Sequence, residues 1–521
     1  MRNGYKISVL VFAATLVLPL TGCGSGGDDA ATTANVCPNI TYSAPSGAAN
    51  NIVFTFDKAY TCGQFANGDW WVAGDAGGPV TITSITPAAS GGRNGFEVNP
   101  TSTIQQAFDS NASVTYNATL MPALPLIVSG VSSVVKAVSK PVTGLPELQF
   151  AAVLTVVSTP VVNSSTVFRP GYFGATGKTF YTVPSSATVS GLPVATHTPV
   201  GVPSTAGFTI ASIETRYQHV QIDHSAGWKG RDMHPEDNMT DYGAEIARDN
   251  AVSLLRMLLS DFNYSDATHK KALVNYLQMA IDLKSIAAEG GGWDADGGHG
   301  NGRKLPLLFA NKVFGGADFS DAIAASAFSE DQQVYRSVTG EVLWGKAGIE
   351  SDYWRTTRGA LGELTAGGAK DIRDYYGRID GGGYQVGLLN EYQVCCTSQP
   401  WKYTVLALYM LGLETPPASL PLLATDNLVE YVERWVRFGV KAADTTTNIN
   451  LTTGVITSGA HGSPVCMRPA VPSAALYGVD YGPGAGGCIV GVNNWTGSNN
   501  SNANGGGYAN TFGDELWAWY R

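Results

Sequence analysis

The spacing of hydrophobic positions changes near residue 237 and divides the chain into two parts. Between about residues 37 and 212, short apolar runs rich in Val and Thr alternate with Gly, Pro and Ser, a pattern typical of β-strands joined by turns. The run 149–157 is apolar at nearly every position, which predicts a strand buried on both faces. We therefore expect a β-sandwich-like domain over residues 37–212.

The second part has helical periodicity. From Ile246 to Leu259 apolar residues recur at spacings of three and four, with Thr240 and Asp241 as candidate caps. A second helix is expected to begin at Ser265 or Asp266 and to stop at Gly290. Similar patterns follow over residues 305–314, 401–413 and 428–438.

These patterns predict a multidomain α+β protein. An (α/α) toroid or incomplete barrel over residues 213–440 follows the sandwich, and a loop-rich C-terminal segment, 441–521, docks on the toroid through its aromatic end at 512–520. The toroid is expected to carry the catalytic site.

The N-terminus has the order of a signal peptide: Arg2 and Lys6, an apolar run over 7–20, then small residues before Cys23. This order resembles a bacterial lipoprotein signal, which implies a signal peptide over 1–22, lipidation of Cys23 and a flexible tether over 23–36. Gly24 favours the outer membrane of a Gram-negative cell by the same resemblance. An ordinary secretory signal, giving a soluble exported protein, is the alternative.

Export favours disulfides among the remaining cysteines. Cys37 with Cys62, and Cys466 with Cys488, are plausible local pairs, although six cysteines allow 15 pairings. The adjacent Cys395 and Cys396 could bond to each other, pair elsewhere or stay reduced. No cysteine spacing is that of a zinc site, which disfavours metal binding by cysteine. We assign no metal-binding residue and no cofactor, and the metal requirement stays open.

Composition narrows the ligand class. Only 14% of residues are charged and the net charge is −10, which argues against a non-specific nucleic-acid binder. An acidic polysaccharide remains possible as a partner, because a few cations in one cleft can outweigh the global charge. Membrane contact is expected through the lipid anchor only, and the oligomeric state is left open.

The densest polar segment is the glycine-rich stretch 289–304, between two predicted helices. It carries Trp293, His299, Asn301 and Arg303, and its glycines leave steric room beside His299 and Asn301. Phosphate binding is disfavoured because the Walker spacing is absent, and calcium binding because Gly297, Gly298 and His299 break the ligand alternation.

This segment, together with Asn238 upstream and Tyr353 downstream, resembles bacterial α/α-toroid polysaccharide lyases, and in particular the alginate and glucuronan lyases of family thirty-eight. The resemblance covers mainly residues 230–415. It implies β-elimination, in which the C5 proton beside a uronate carboxylate is removed and the C4 oxygen is expelled.

Such a reaction needs hydrogen-bond donors for the carboxylate, a base for C5 and an acid for the leaving oxygen. The candidate catalytic residues are His299, Tyr353, Asn301 and Arg303, with the base and acid roles undivided between His299 and Tyr353. The candidate substrate-binding residues are Asn238, Trp293, Arg355, Arg358, Tyr384 and Tyr392. Trp228 is a further candidate for stacking on sugar rings, although core packing explains such aromatics equally well.

Two other functions stay open. A toroidal glycoside hydrolase would need two carboxylates, for which the candidates are Glu289, Asp294, Asp296, Glu350 and Asp352. The protein could instead be a non-catalytic glycan-binding lipoprotein on the cell surface.

Overall fold

The computed structural model describes residues 35–196, 208–336, 342–344, 396–413, 425–438, 440–441, 467–468 and 510–520. These residues form a mixed α+β structure, in which a curled mixed sheet is accompanied by helices. The coarse α+β prediction is therefore confirmed.

The strands, in chain order, are β1 Asn35–Tyr42, β2 Ile52–Gln64, β3 Trp70–Ala73, β4 Val80–Thr86, β5 Phe96–Val98, β6 Gln105–Gln106, β7 Thr115–Tyr116, β8 Leu126–Val128, β9 Ser132–Ser139, β10 Leu148–Val157, β11 Val334–Arg336, β12 Val342–Trp344, β13 Val440–Lys441 and β14 Met467–Arg468. The main sheet has the order β5-β9-β10-β3-β2-β4-β8, with β1 paired to β2. All its pairings are antiparallel except β10 with β3.

Strand β2 joins the two sides of this sheet. Its first half pairs with β4 through Val53 and Thr86, and its second half pairs with β3 through Thr61 and Ala73. Because one long strand bridges both neighbours, the strands form a single curled sheet. The two facing sheets of the predicted sandwich are not confirmed.

Strand β10 is buried on both faces, as its sequence predicts. Phe150 and Leu154 join one hydrophobic core with β1, β2 and β4, while Ala151 and Val153 join a second core that also contains the helices. Successive side chains of a strand point to opposite faces, so an unbroken apolar run supplies both cores at once.

The helices are α1 Ser186–Ser190, α2 Ile210–Arg216, α3 Gly243–Met257, α4 Ala267–Ala288, α5 Lys304–Phe314, α6 Ala317–Ala325, α7 Ser329–Gln332, α8 Ser398–Leu411, α9 Thr425–Phe438 and α10 Thr511–Tyr520. Helix α3 packs on α8, α4 packs on α2, α5 and α6, and α8 packs on α9 and α10. These contacts do not confirm a toroid. No helix within the described ranges is long and apolar enough to cross a membrane.

The predicted boundaries of α4 are confirmed. The carboxylate of Asp266 accepts hydrogen bonds from the amides of Thr268 (2.9 Å) and His269 (3.1 Å), which caps the first turn. The helix ends at Ala288, and Gly290 then takes a positive φ of 83°. Glycine adopts this left-handed conformation without the steric cost that a side chain would bring.

The predicted caps of α3 are wrong. Tyr242 is the N-cap residue, and its side chain makes no capping hydrogen bond. Asp241 pairs instead with Arg231, and the Thr240 carbonyl lies 3.0 Å from Nδ1 of His234. Both candidate caps are occupied by partners from the segment that precedes the helix.

A buried ion cluster ties the sheet to the helices. Arg169 places Nε 2.5 Å from Oδ2 of Asp69, which lies between β2 and β3. Its two terminal nitrogens each lie 2.6 Å from the carboxylate oxygens of Asp282 on α4. All three side chains are almost fully buried, so their charges depend on one another for solvation.

Two further contacts involve Cys37 and helix α10. Cys37 and Cys62 form a disulfide between β1 and β2, with a Cα–Cα distance of 6.0 Å, which confirms that pairing. Cys396 is also disulfide-bonded. Helix α10 docks on α8, where the amide of Asn510 donates a 2.5 Å hydrogen bond to the hydroxyl of Tyr403.

Candidate active site

The glycine-rich loop between α4 and α5 lies against the N-terminus of α3. A Cβ atom on Gly243 would overlap the carbonyl oxygen of His299, and one on Gly302 would overlap the backbone of Ala247. A Cβ atom on Gly298 would strike the hydroxyl of Tyr242. The absence of side chains at these glycines lets the loop approach the helix closely, which brings His299 beside Tyr242.

Arg303 holds this loop in shape. Its Nη1 donates hydrogen bonds to the carbonyl oxygens of His299 (2.9 Å) and Asn301 (2.6 Å). Its Nε and Nη2 form a two-point ion pair with Asp223, at 2.7 and 2.9 Å. The guanidinium is buried and its three nitrogens all bind protein oxygens, so Arg303 is a positioning residue in this structure.

Asp223 is an ionised carboxylate within the protein. Burial acts to raise its pKa, but the charge of Arg303 and the hydrogen bonds from His234 and Arg303 outweigh burial and hold the pKa well below its usual range. Nε2 of His234 lies 3.2 Å from Oδ1 of Asp223, while Nδ1 faces the Thr240 carbonyl. Both ring nitrogens of His234 therefore face oxygen atoms of the protein.

His299 has a different environment. Its ring packs edge-on against the ring of Tyr242, with centroids 4.7 Å apart and an interplanar angle of 88°. Burial lowers the pKa of His299 to about 4, so the imidazole is neutral at pH 7. Nδ1 is buried without a hydrogen-bond partner, and among the described residues Nε2 has none either.

Arg231 brings a cation to this pair. Its guanidinium carbon lies 5.7 Å from the centroid of the Tyr242 ring, and its Nε lies 3.1 Å from Oδ2 of Asp241. The Arg231 side chain keeps about a quarter of its surface exposed. It is therefore the cation beside His299 that a ligand can reach, whereas Arg303 is enclosed.

Two cavities meet at this site. A narrow cavity of about 10 Å³, enough for one water-sized group, is lined by residues that include Arg231, His234, His299 and Arg303. A neighbouring cavity of about 660 Å³ is large enough for sugar rings. Asp241 lines both, so the small cavity with His299 adjoins the large one.

The large cavity has an acidic wall. Its carboxylates belong to Glu236, Asp237, Asp241, Glu245 and Asp249. Most of them have partners: Asp241 pairs with Arg231, Asp249 with Arg216 and Arg248, and Glu236 with Lys140. Burial raises the pKa of the Glu245 carboxyl group.

The structure assigns protein partners to several predicted site residues. Asn301 donates from Nδ2 to the Cys396 carbonyl (3.0 Å) and accepts from Ser329 Oγ (2.7 Å). Trp293 is 4% exposed, stacks on Phe328 and donates from Nε1 to the Asp223 carbonyl (3.2 Å). Both side chains are engaged with the protein, although Trp293 contributes to the wall of the narrow cavity.

Asn238 lines the large cavity. Its Nδ2 donates a 2.8 Å hydrogen bond to the His219 carbonyl, and its Oδ1 is buried without a partner. The remaining predicted site residues, namely Tyr353, Arg355, Arg358, Tyr384, Tyr392 and the lipidation residue Cys23, lie outside the described residues.

The sequence-based residue set omits four members of the site: Asp223, Arg231, His234 and Tyr242. Three of them belong to the polar stretch 227–242, which precedes α3. The high density of charged and aromatic residues in this stretch is the sequence feature that could have identified them. Asp223 gives no local signal, because its partner Arg303 is 80 residues away.

The fold and the site therefore define a mixed α+β protein in which a neutral histidine, packed against a tyrosine, and an arginine line a small cavity that shares Asp241 with a sugar-sized one. Comparison with known protein families, curated proteins and solved structures finds no match. Among the described residues, no group of three His, Cys, Asp or Glu side chains could hold a metal ion.

Proposed function

We propose that the protein is a polysaccharide lyase that cleaves a uronate-containing glycan, of the alginate or glucuronan type, by β-elimination. The observation that carries this proposal is the pair formed by His299 and Tyr242, in which a neutral imidazole that makes no hydrogen bond to any described residue lies against a tyrosine and next to Arg231. This set suits proton transfer beside a carboxylate better than hydrolysis, which needs two carboxylates at the scissile bond.

In the proposed reaction, Nε2 of His299 takes the proton from C5 of the uronate. The electron pair of that C–H bond forms the C4–C5 double bond, and the bond from C4 to the glycosidic oxygen breaks. Arg231 offers positive charge to the carboxylate, which stabilises the enolate-like intermediate. The negative carboxylate in turn favours the protonated imidazole and raises the pKa of His299 on binding, so the base gains strength when substrate is present.

A tyrosine delivers the proton to the leaving oxygen. Tyr353 is the candidate from the sequence resemblance and lies outside the described residues. Tyr242 is the candidate from geometry, because its ring contacts His299 directly. Asn301 and Arg303 act in this proposal through the loop that they hold and not by contacting the substrate.

The test follows the ultraviolet absorbance of the unsaturated uronate produced from alginate, glucuronan and other uronate polymers. We expect absorbance to rise with the purified protein and to stay flat with His299→Ala. Comparison of Tyr242→Phe with Tyr353→Phe identifies the acid, because only loss of the true donor abolishes turnover. A flat trace with the unaltered protein on every uronate polymer would overturn the proposal.

Glycoside hydrolysis is the second candidate, because Glu245 combines a raised pKa with a position on the sugar-sized cavity. A hydrolase would release new reducing ends without an absorbance rise, and Glu245→Gln would abolish that release. The same polymer digests, measured for reducing ends, separate the two candidates. A non-catalytic glycan-binding protein would give neither signal while retaining affinity.

The proposal includes the finer architecture and the location. We propose that the helices belong to an (α/α) toroid behind a sandwich-like N-terminal domain, and that the protein is exported and lipid-anchored through Cys23 at the outer membrane. Radiolabelled palmitate fed to expressing Gram-negative cells should label the protein, and Cys23→Ser should remove the label. Label retained in that variant would contradict the anchor.

A further inference from the structure

Trp228 is an exposed aromatic residue that directly follows Gly227, one of the residues that line the His299 cavity. Half of its surface is exposed, whereas Trp71, Trp293 and Trp401 are each less than 5% exposed. Burying an indole ring is strongly favourable, so a tryptophan left half in water next to a candidate active site has a surface available for a ligand.

The backbone around Trp228 is fixed to the same loop that carries His299. The amide of Trp228 donates a 2.8 Å hydrogen bond to Oδ2 of Asp296, and the amide of His299 donates a 2.9 Å hydrogen bond to the carbonyl of Asp296. Trp228 begins the 3₁₀ turn Trp228–Met233, and Gly227, Gly230 and Arg231 from this turn and its start line the cavity. The backbone of Trp228 is thus held next to the cavity, between the lining residues Gly227 and Gly230.

A cation accompanies the indole. Nζ of Lys229 lies 6.0 Å from the centroid of the Trp228 ring, and Lys229 is exposed. An exposed indole and an ammonium group are the two kinds of group that a uronate residue contacts. The apolar C–H face of the sugar stacks on an aromatic ring, and its carboxylate pairs with a cation.

We propose that Trp228 and Lys229 form a subsite for a uronate residue next to the residue that reacts at His299. The inference rests on the proposed function for the reaction itself, but the subsite requires only that the protein bind an acidic glycan. Trp228 supplies stacking area that any hexose ring could use, and Lys229 supplies the preference for a carboxylate. Substrate chains that span both places bind more tightly than chains that reach His299 alone.

The experiment measures the binding of alginate and glucuronan oligosaccharides, and of the same oligosaccharides after chemical reduction of their carboxylates, by calorimetry. We expect Trp228→Ala to weaken binding of the acidic oligosaccharides about tenfold, and Trp228→Phe to restore most of the affinity. Lys229→Ala should weaken binding of the acidic oligosaccharides and leave the reduced ones unchanged. Trp519→Ala is the matched control, because Trp519 is 62% exposed on α10.

Binding and turnover together separate this subsite from the proposed function. If uronate polymers are cleaved and Trp228→Ala changes neither KM nor affinity, the subsite is wrong and the lyase assignment stands. If no polymer is cleaved but the affinity falls in Trp228→Ala, the subsite stands and the lyase assignment is wrong. Absence of binding by the unaltered protein overturns the subsite.

Discussion

Arg303 and Asp223 form a buried two-point ion pair, with Nε 2.7 Å from Oδ2 and Nη2 2.9 Å from Oδ1. The third nitrogen of Arg303 binds the carbonyl oxygens of His299 and Asn301. One guanidinium therefore joins the segment before α3 to the loop that carries His299. The geometry of the candidate site depends on this pair even though neither side chain is free to touch a substrate.

Arg303→Met should destabilise the protein strongly. It leaves the Asp223 carboxylate buried without its cation, and breaking a buried pair in this way costs about 3–5 kcal/mol of unfolding free energy. Urea unfolding of both proteins measures the difference. The matched control is Lys58→Ala, because Lys58 and Asp75 form an ion pair whose side chains are 52% and 63% exposed. Equal unfolding curves for Arg303→Met and the unaltered protein would refute the structural role.

Gly243→Ala should damage the site through the backbone. The new Cβ would overlap the carbonyl oxygen of His299, which cannot swing away as a side chain could. We expect a loss of about 1–3 kcal/mol in stability and a displaced His299. Thermal unfolding and turnover are measured together. Gly144→Ala is the control, because no heavy atom lies within 4 Å of a Cβ there and its φ is not left-handed. An active, unchanged Gly243→Ala protein would contradict the close approach.

The contribution of His224 to stability should fall as the pH falls from about 6.5 towards 4. Burial lowers the pKa of His224 from 6.5 to about 4 in the folded protein, so the unfolded chain takes up the proton first and unfolding becomes more favourable. The difference between a pKa of 6.5 in the unfolded chain and about 4 in the folded protein corresponds to about 3 kcal/mol of unfolding free energy, lost in full below pH 4. The contribution is present above pH 6.5 and is lost on acidification.

His224→Gln isolates this contribution from other groups that titrate in the same range, such as Glu97, whose pKa burial raises to about 7. Chemical unfolding at several pH values gives the free energy for both proteins. The difference between the two profiles should shrink as the pH falls from 6.5 to 4. A constant difference would mean that His224 does not remain neutral in the fold.

If His299 is the base, the acidic limb of the pH–rate profile should lie near pH 4. Its pKa of about 4 in the free protein predicts that kcat/KM stays high down to about pH 5, because the imidazole is still neutral there. The pH profile of kcat/KM, measured on the best uronate polymer, checks this. An acidic limb near pH 6.5 would show that the base is a histidine with an ordinary pKa, or that His299 lies in a wetter environment than the structure has.

Local patterns were sufficient to predict several of the individual elements. The 149–157 run, the periodicity of α3 to α5 and the Asp266 cap depend on neighbours within a few residues, and each is confirmed. The Cys37–Cys62 disulfide closes a short loop, which made it a reasonable choice among the pairings. Sequence also indicated the glycine-rich loop, since glycines allow left-handed backbone, as at Gly290, and leave steric room, as at Gly298 beside Tyr242.

The tertiary structure alone decided which polar side chains are free. Asn301, Arg303 and Trp293 have the residue types of a binding site, but their partners Cys396, Asp223 and Phe328 lie 95, 80 and 35 positions away. The contact between His299 and Tyr242 also joins distant parts of the chain. The same holds for the pairing of the long strands in one curled sheet. The amino-acid sequence by itself determined the longer helices and strand β10, because hydrophobic spacing acts locally. The site was decided by folding, because buried polar groups must find partners wherever the chain brings them.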